Sequence, residues 1–203
     1  MATRKRLSPE ESRAGALVAA RELLIEAGPQ AVTLKAVGAR VGRTHANLLH
    51  HFGSAAGLQR SLAAHMAQTV CESVAQAVLK NRAGEGSPRE VVDIAFDAFD
   101  HEGGGALVSW MLATGHEDSI QPFVETIHGM VDDLHPEEEG HDEARMAHEA
   151  TLAVVLLALG HSLIGAPLSQ SLRLSETTAR DMAENIIDAS LIQAQMNAGK
   201  ASD

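Results

Sequence analysis

The sequence predicts an all-α protein, and its composition supports that prediction in three ways. Tyr is absent and aromatic residues make up only 2% of the 203 residues, so residue types that favour strands are scarce. Alanine, the strongest helix former, is abundant. Hydrophobic residues account for 45% of the chain and charged residues for 21%, which is typical of a globular protein with a buried core. The length suits one compact domain, or a small module joined to a larger one.

The N-terminal part predicts short helices with recognisable ends. Ser8 can cap a first helix, with Pro9 at its first position and Glu10 and Glu11 in its first turn. Apolar residues then recur with a 3.6-residue period until Gly28-Pro29 ends the helix; they are Ala16, Ala20, Leu23, Leu24 and Ala27.

Two shorter helices follow, over about residues 34–41 and 44–51, and Gly53-Ser54 begins a fourth. Thr33 and Thr44 can cap the two short helices, and Gly42 can end the first of them in the left-handed conformation. A short helix, a glycine-containing turn and a second helix form the pattern of a helix-turn-helix, in which the second helix enters the major groove of DNA. An ordinary helical hairpin produces the same pattern, so this motif leaves both interpretations open.

Beyond residue 60 the pattern predicts five or six longer helices. The expected breaks lie at residues 84–88, 103–105, 115–119, 135–140 and 165–169, and we interpret 103–105 as a loop or hinge. The last two helices, over about 141–165 and 175–197, are the longest and most apolar. Leu152 to Leu159 is apolar around the whole helix, so it needs burial on two sides. We therefore expect these two helices to pair with their copies in a homodimer.

Charge divides the chain near residue 60. Residues 1–60 hold nine basic and four acidic residues, a net charge of +5, whereas residues 61–203 hold seven basic and 23 acidic residues, a net charge of −16. This asymmetry predicts a basic module over 1–60 that contacts an anion and an acidic module over 61–203 with another role. Arg4, Lys5 and Arg6 form a basic arm that is either solvated or inserted into a minor groove.

The run from Ser12 to Leu62 resembles the DNA-binding region of TetR-family transcriptional repressors. The resemblance covers about a quarter of the chain. It is carried by Ala19-Ala20-Arg21-Glu22-Leu23-Leu24, Ala27-Gly28, Val32-Thr33-Leu34, Val37-Gly38-Ala39-Arg40-Val41-Gly42, Leu48-Leu49-His50-His51-Phe52, and Ser54 with Leu58.

The resemblance implies a three-helix DNA-binding domain with a helix-turn-helix, followed by a larger helical domain that binds a ligand and dimerises. The implied function is that of a dimeric repressor of transcription, released from DNA by a small molecule. By position, the DNA contacts would come from Thr33, Lys35, Arg43, Thr44, His45, Asn47, His50 and His51. The sequence departs from the family where Leu49 and Ala55 replace a usual Tyr and Lys, both common phosphate contacts. An adaptor of the same fold with weak or lost DNA binding is therefore the alternative.

The acidic module holds the large apolar and polar residues from which an effector site could be built. The candidate ligand-binding residues are Phe96, Phe99, His101, Trp110, Met111, His116, Phe123 and Met130. Core packing is the competing interpretation for each of them. Because this module is acidic and Arg89 is the one basic residue between 88 and 130, we expect a small, largely apolar effector rather than an anion.

Enzyme, metal and membrane functions are not expected. The sequence lacks H-E-x-x-H, P-loop and G-x-S-x-G motifs, and no cofactor is predicted. His141 and His148 are seven residues apart, and we interpret them as part of an exposed polar face rather than as metal ligands. The apolar stretch from Ala150 to Ala166 is shorter than the roughly 20 residues that a bilayer requires. A single cysteine, Cys71, and no leader-like segment suggest a cytoplasmic protein.

Overall fold

The structure is a computed structural model that describes residues 8–115, 120–135 and 141–200, without the side chains of His141 and of residues 198–200. Within these ranges the chain forms helices and no strand, which confirms the all-α prediction. The helices are α1 (Pro9–Ala27), α2 (Leu34–Val41), α3 (His45–Phe52), α4 (Ala55–Arg82), α5 (Pro88–Phe99), α6 (Gly104–Ala113), α7 (Gln121–Leu134), α8 (His141–Leu172) and α9 (Thr178–Lys200). A single 3-10 turn, Pro29–Ala31, lies between α1 and α2.

The chain divides into two compact units. The first contains residues 1–65 and 106–122, and the second contains residues 66–105 and 123–203. The predicted modules, 1–60 and 61–203, place the first cut at nearly the same point but assign residues 106–122 differently. Which unit a segment joins depends on the side chains that it buries, and charge balance along the sequence does not report that.

In the first unit, helix α1 begins as its sequence predicts, but its buried face matches the prediction only in part, since Leu23 is half-buried and Ala27 is exposed. The Ser8 hydroxyl accepts a hydrogen bond from the backbone N–H of Glu11 at 3.1 Å, and the Glu11 carboxylate accepts one from the Ser8 N–H at 2.7 Å. This reciprocal pair satisfies two of the N–H groups that a helix start leaves without partners. The buried residues of α1 are Ala16, Leu17, Ala19, Ala20 and Leu24.

The second unit has a core built by α5, α8 and α9. Its buried residues are Val92, Phe96, Phe99, Val154, Ala158 and Ala183. Arg180 of α9 contacts both this core and the charged residues beside it. Its guanidinium lies 5.1 Å from the centre of the Phe96 ring. It also donates hydrogen bonds to Asp93 and Asp97 at 2.8 and 2.6 Å. Burial alone would raise the pKa of the Asp97 carboxyl, but the hydrogen bond and the charge of Arg180 help to hold that pKa below its ordinary value.

The predicted loop at residues 103–105 is wrong for its last two glycines, which form the first turn of α6. A Cβ at Gly105 would overlap the Ser162 Oγ of α8 and lie 3.0 Å from the Phe99 carbonyl oxygen. Glycine fits here because the Ser162 side chain and the Phe99 carbonyl oxygen occupy the space that a Cβ would need. A hinge at this position is not supported.

The predicted break at residues 165–169 is also wrong, since α8 continues through Pro167 to Leu172. A proline removes one helical hydrogen bond, but the residues after it can stay helical. The uncharged part of α8 therefore runs from Ala150 to Leu172 and exceeds the roughly 20 residues that a bilayer requires. Among the described helices, this one is long and apolar enough to span a membrane by length and composition. Its Val154 and Ala158 pack in the core of the second unit.

Candidate nucleic-acid interface

Helices α2 and α3 form a helix-turn-helix. Gly42 has φ +66° and ψ +37°, and the left-handed conformation there ends α2. The following Arg43 N–H donates to the Gly38 carbonyl at 2.8 Å, which closes the turn. Leu34 and Val37 of α2 and Leu48 and Phe52 of α3 are buried. The opposite surfaces of both helices therefore remain open to a partner.

Each of the two helices begins with a threonine cap. The Thr33 hydroxyl accepts a hydrogen bond from the Ala36 N–H at 3.1 Å, and the Thr44 hydroxyl accepts one from the Asn47 N–H at 3.2 Å. A hydroxyl that accepts in this way still has its own hydrogen to donate. Both helix starts also carry partial positive charge from the peptide dipoles. An anion such as a phosphate can be bound at either start.

Two arginines connect the helix-turn-helix to neighbouring helices. Arg13 of α1 donates to the His51 carbonyl at 2.9 Å and to the Ser61 hydroxyl at 2.8 Å, and its guanidinium lies 4.7 Å from the centre of the Phe52 ring. Arg40 of α2 donates to Glu26 of α1 at 2.9 Å. This bond lowers the pKa of the Glu26 carboxyl. Both arginines add to the basic charge of residues 1–60 but contact protein, and the sequence pattern did not identify this role.

The predicted DNA contacts lie on one helix-turn-helix but differ in exposure. Six are exposed, namely Thr33, Lys35, Arg43, Thr44, His45 and His50. Asn47 and His51 are half-buried. The His51 ring packs edge-on near the Phe52 ring, with 6.3 Å between ring centres.

Asn47 points part of its amide inward. Its Oδ1 is buried and has no hydrogen-bond partner among the described residues. The oxygen and nitrogen of an amide are assigned from their hydrogen bonds, so the inward atom can equally be the NH2 group. In either orientation, one of the two polar atoms of the Asn47 amide is buried inside the protein.

Two positions on this surface carry no polar side-chain atom. Leu49 is 43% exposed on α3, and Ala55 is exposed at the start of α4. These are the positions at which the resemblance would place Tyr and Lys. Phosphate contacts on this surface would therefore depend on Lys35, Arg43 and the two threonine caps.

A cavity of about 140 Å³ lies within the second unit. It is almost wholly apolar, and its polar side chains are Cys71 and Thr151. Burial, together with the charge of Glu72, raises the pKa of the Cys71 thiol to about 11, so the thiol is neutral at pH 7. The lining comes from Met66, Ala67, Val70, Cys71, Val74, Val91, Ala95, Ala98, Phe99, Gly104, Phe123, Ile127, Met130, Ala150, Thr151, Val154, Val155 and Ile187.

The candidate ligand-binding residues do not all meet at this cavity. Three of them line it, namely Phe99, Phe123 and Met130. Phe96 is fully buried in the neighbouring core, and His101 is exposed beside Asp97 and Asp100.

The other three candidates belong to the segment assigned to the first unit. Trp110 is 36% exposed and Met111 is buried. His116 lies outside the described residues. The sequence prediction did not include Cys71 or Thr151, which provide the polar side chains of the lining.

Comparison with known proteins identifies the N-terminal region. Residues 16–62 match the model of the family described as bacterial regulatory proteins, tetR family. No curated protein matches the chain. Among 13 matching chains of solved structures, one is a Shewanella sp. PV-4 protein assigned to the tetR family of transcription regulators. It is 13% identical, with a TM-score of 0.44, and the alignment covers 85% of this chain and 96% of that one. The helix-turn-helix region of this chain is therefore similar to the DNA-binding domain of the tetR family of bacterial regulatory proteins.

Proposed function

We propose that the chain is a ligand-responsive transcriptional repressor that binds a near-palindromic operator as a homodimer. The observation that carries this proposal is the exposed surface of α2 and α3, where two threonine caps, Lys35 and Arg43 surround the helix-turn-helix. Threonine hydroxyls and basic side chains at helix starts are the usual means of contacting the DNA backbone. His45 and Asn47, in the first turn of α3, are the candidates for contacting base edges.

The homodimer is proposed from apolar side chains that α8 and α9 leave exposed. On α8, Leu152, Leu156 and Leu163 are between 51% and 61% exposed, and on α9 Ile192 and Met196 are 58% and 59% exposed. Soluble monomers rarely leave so many large apolar side chains in water on neighbouring helices. A second copy that pairs α8 and α9 with their counterparts would bury them, and its symmetry would match that of a palindromic site. A cytoplasmic location fits this function.

The effector is proposed to occupy the cavity of the second unit. A cavity of about 150 Å³ with an apolar lining can bind a molecule of the size of benzene, so the 140 Å³ here suits a small apolar ligand unless the helices move apart. Arg89 is not among the lining residues, and its guanidinium donates hydrogen bonds to Asp181 and Glu184 at 2.8 and 3.1 Å. An anionic effector would therefore lack a basic partner in this lining.

The proposed function can be tested by selecting from a random pool of DNA duplexes with the full chain at low salt. We expect enrichment of a near-palindromic motif, with half-sites about 34 to 36 Å apart or a small multiple of that distance. A helical adaptor of the same fold is the second candidate, favoured by Leu49 and Ala55 at the expected phosphate contacts. A selection that enriches no motif would support the adaptor and contradict the repressor.

Ligand response can be tested by the melting temperature of the chain across a panel of small apolar metabolites. A ligand that binds only the folded state raises this temperature. Thr151→Val and Met130→Ala, which alter the lining, should change the response, whereas Trp110→Ala should leave it intact because Trp110 is not in the lining. A stabilising ligand that leaves operator affinity unchanged would contradict the coupling.

A further inference from the structure

Two histidines and an aspartate on α7 and α8 converge within the second unit. His128 and Asp132 lie one turn apart on α7, and His148 lies on α8. The Nε2 atom of His128 is 3.2 Å from Asp132 Oδ2, and the Nε2 atom of His148 is 3.0 Å from Asp132 Oδ1. The three potential ligand atoms all lie within 4.8 Å of one another. No part of the DNA surface or of the apolar cavity uses these residues.

The orientation of His148 is fixed by the backbone. Its Nδ1 lies 2.7 Å from the carbonyl oxygen of Ala144, one turn earlier on α8. A carbonyl oxygen can only accept, so Nδ1 carries the hydrogen and donates it. In the neutral ring, Nε2 is then left with a lone pair directed at Asp132. A histidine whose second nitrogen donates to a carbonyl in this way is typical of metal ligands.

The pairing of His148 with Asp132 requires a positive charge between them. The Nε2 lone pair and a carboxylate oxygen are both acceptors, and at 3.0 Å they repel each other. Either a proton or a metal ion can bridge the two atoms. The two histidine nitrogens face different oxygens of this one carboxylate, at 3.0 and 3.2 Å, and one potential ligand atom from each residue lies within 4.8 Å of the others, which is close enough for a single ion to contact all three residues.

The ligand set indicates which ion would bind. Imidazole nitrogens suit Zn²⁺ and its first-row neighbours, whereas Ca²⁺ and Mg²⁺ prefer oxygen ligands. His128 and Asp132 are exposed and His148 is half-buried, so water can supply a fourth ligand. The excess of acidic residues beyond position 60 also favours a cation over an anion.

We propose that His128, Asp132 and His148 form a binding site for a zinc-like divalent ion that links α7 to α8. The site is independent of the repressor function proposed above. The sequence predicts no metal site, because that prediction was based on the spacing of residues along single helices. The three residues proposed here lie on two different helices. Because Met130 of α7 and Thr151 of α8 both line the apolar cavity, a bound ion would also fix the distance between two of its walls.

The test is a titration of the full chain with Zn²⁺, after treatment with a chelator and without a polyhistidine tag. We expect one ion per chain by calorimetry and a higher melting temperature with Zn²⁺ than with chelator, because binding stabilises the folded state. His128→Ala and Asp132→Asn should each weaken Zn²⁺ binding at least about tenfold, since the loss of a ligand costs at least as much as the loss of a group that orients one.

His101→Ala is the matched control. His101 is an exposed histidine 3.2 Å from Asp97 and 3.8 Å from Asp100, and neither aspartate is paired with a second histidine in the described structure. This variant should bind Zn²⁺ as the original chain does. The proposal is overturned if the original chain binds no ion at micromolar Zn²⁺, which would leave a proton between His148 and Asp132. It is also overturned if the His128→Ala/His148→Ala variant binds as tightly as the original chain. His128 is exposed and His148 is half-buried, and circular dichroism in chelator checks that the variants fold.

Discussion

At the scale of single residues, Lys35 and Arg43 are the exposed basic side chains of the described helix-turn-helix that would contribute charge to the proposed DNA-binding surface, since Arg40 is paired with Glu26. We expect Lys35→Ala and Arg43→Ala to lower affinity for every duplex and to reduce the slope of log affinity against log salt by about one unit each. Fluorescence anisotropy at several salt concentrations measures both effects. Lys80→Ala, which removes an exposed lysine that pairs with Glu90 in the second unit, is the control and should leave the slope unchanged.

Asn47 differs from these residues because its side chain is half-buried. If its outward amide atom contacts a base edge, Asn47→Ala should reduce the preference for the selected motif over a scrambled duplex by about 1 to 3 kcal/mol. Competition binding with the two duplexes measures that preference. An equal loss of affinity for both duplexes would show that Asn47 supports the start of α3 and contacts no base.

At the scale of helices, Gly105 and Gly129 provide a comparison of two helical glycines. A Cβ at Gly105 would overlap Ser162, whereas a Cβ at Gly129 has no atom within 4 Å. Gly105→Ala should therefore destabilise the fold by about 1 to 3 kcal/mol, as overpacking does. Gly129→Ala should be neutral or stabilise the fold by up to about 1 kcal/mol, because alanine favours a helix. Urea unfolding of both variants measures the difference, and equal effects would contradict the close approach of Gly105 to Ser162.

The helix ends show how much of the fold is readable from sequence. Ser8, Thr33, Gly42 and Thr44 each begin or end a helix as predicted, because capping depends on atoms within a few residues. The predicted end at Pro167 is wrong, because a proline removes one helical hydrogen bond while the residues on both sides of it can stay helical.

The residues that line the cavity of the second unit are harder to predict, because their positions depend on contacts between helices that are far apart in the sequence. Phe99, Phe123 and Met130 line the cavity but Trp110 does not, and the difference arises from which helix faces meet after folding. Likewise, His128 and His148 approach only through the packing of α7 beside α8. Spacing along the sequence carries no signal for either arrangement.

At the scale of the whole molecule, the proposed dimer depends on the exposed apolar side chains of α8 and α9. Leu156→Glu should weaken dimerisation at least about tenfold, because each symmetric interface would receive the buried charge twice. Analytical ultracentrifugation over a concentration series measures the dissociation constant. Leu79→Glu is the matched control, since Leu79 of α4 is 55% exposed and Leu156 is 59% exposed. A chain that sediments as a monomer at micromolar concentration before any substitution would contradict the dimer.

Sequence-specific DNA binding by the exposed surface of α2 and α3 can be measured by titrating the selected duplex and a scrambled duplex of equal length at physiological salt. We expect at least about a thousandfold tighter binding to the selected duplex, with saturation at two chains per duplex and loss of affinity in Arg43→Ala. Equal affinity for the two duplexes, with no effect of Arg43→Ala, would contradict it.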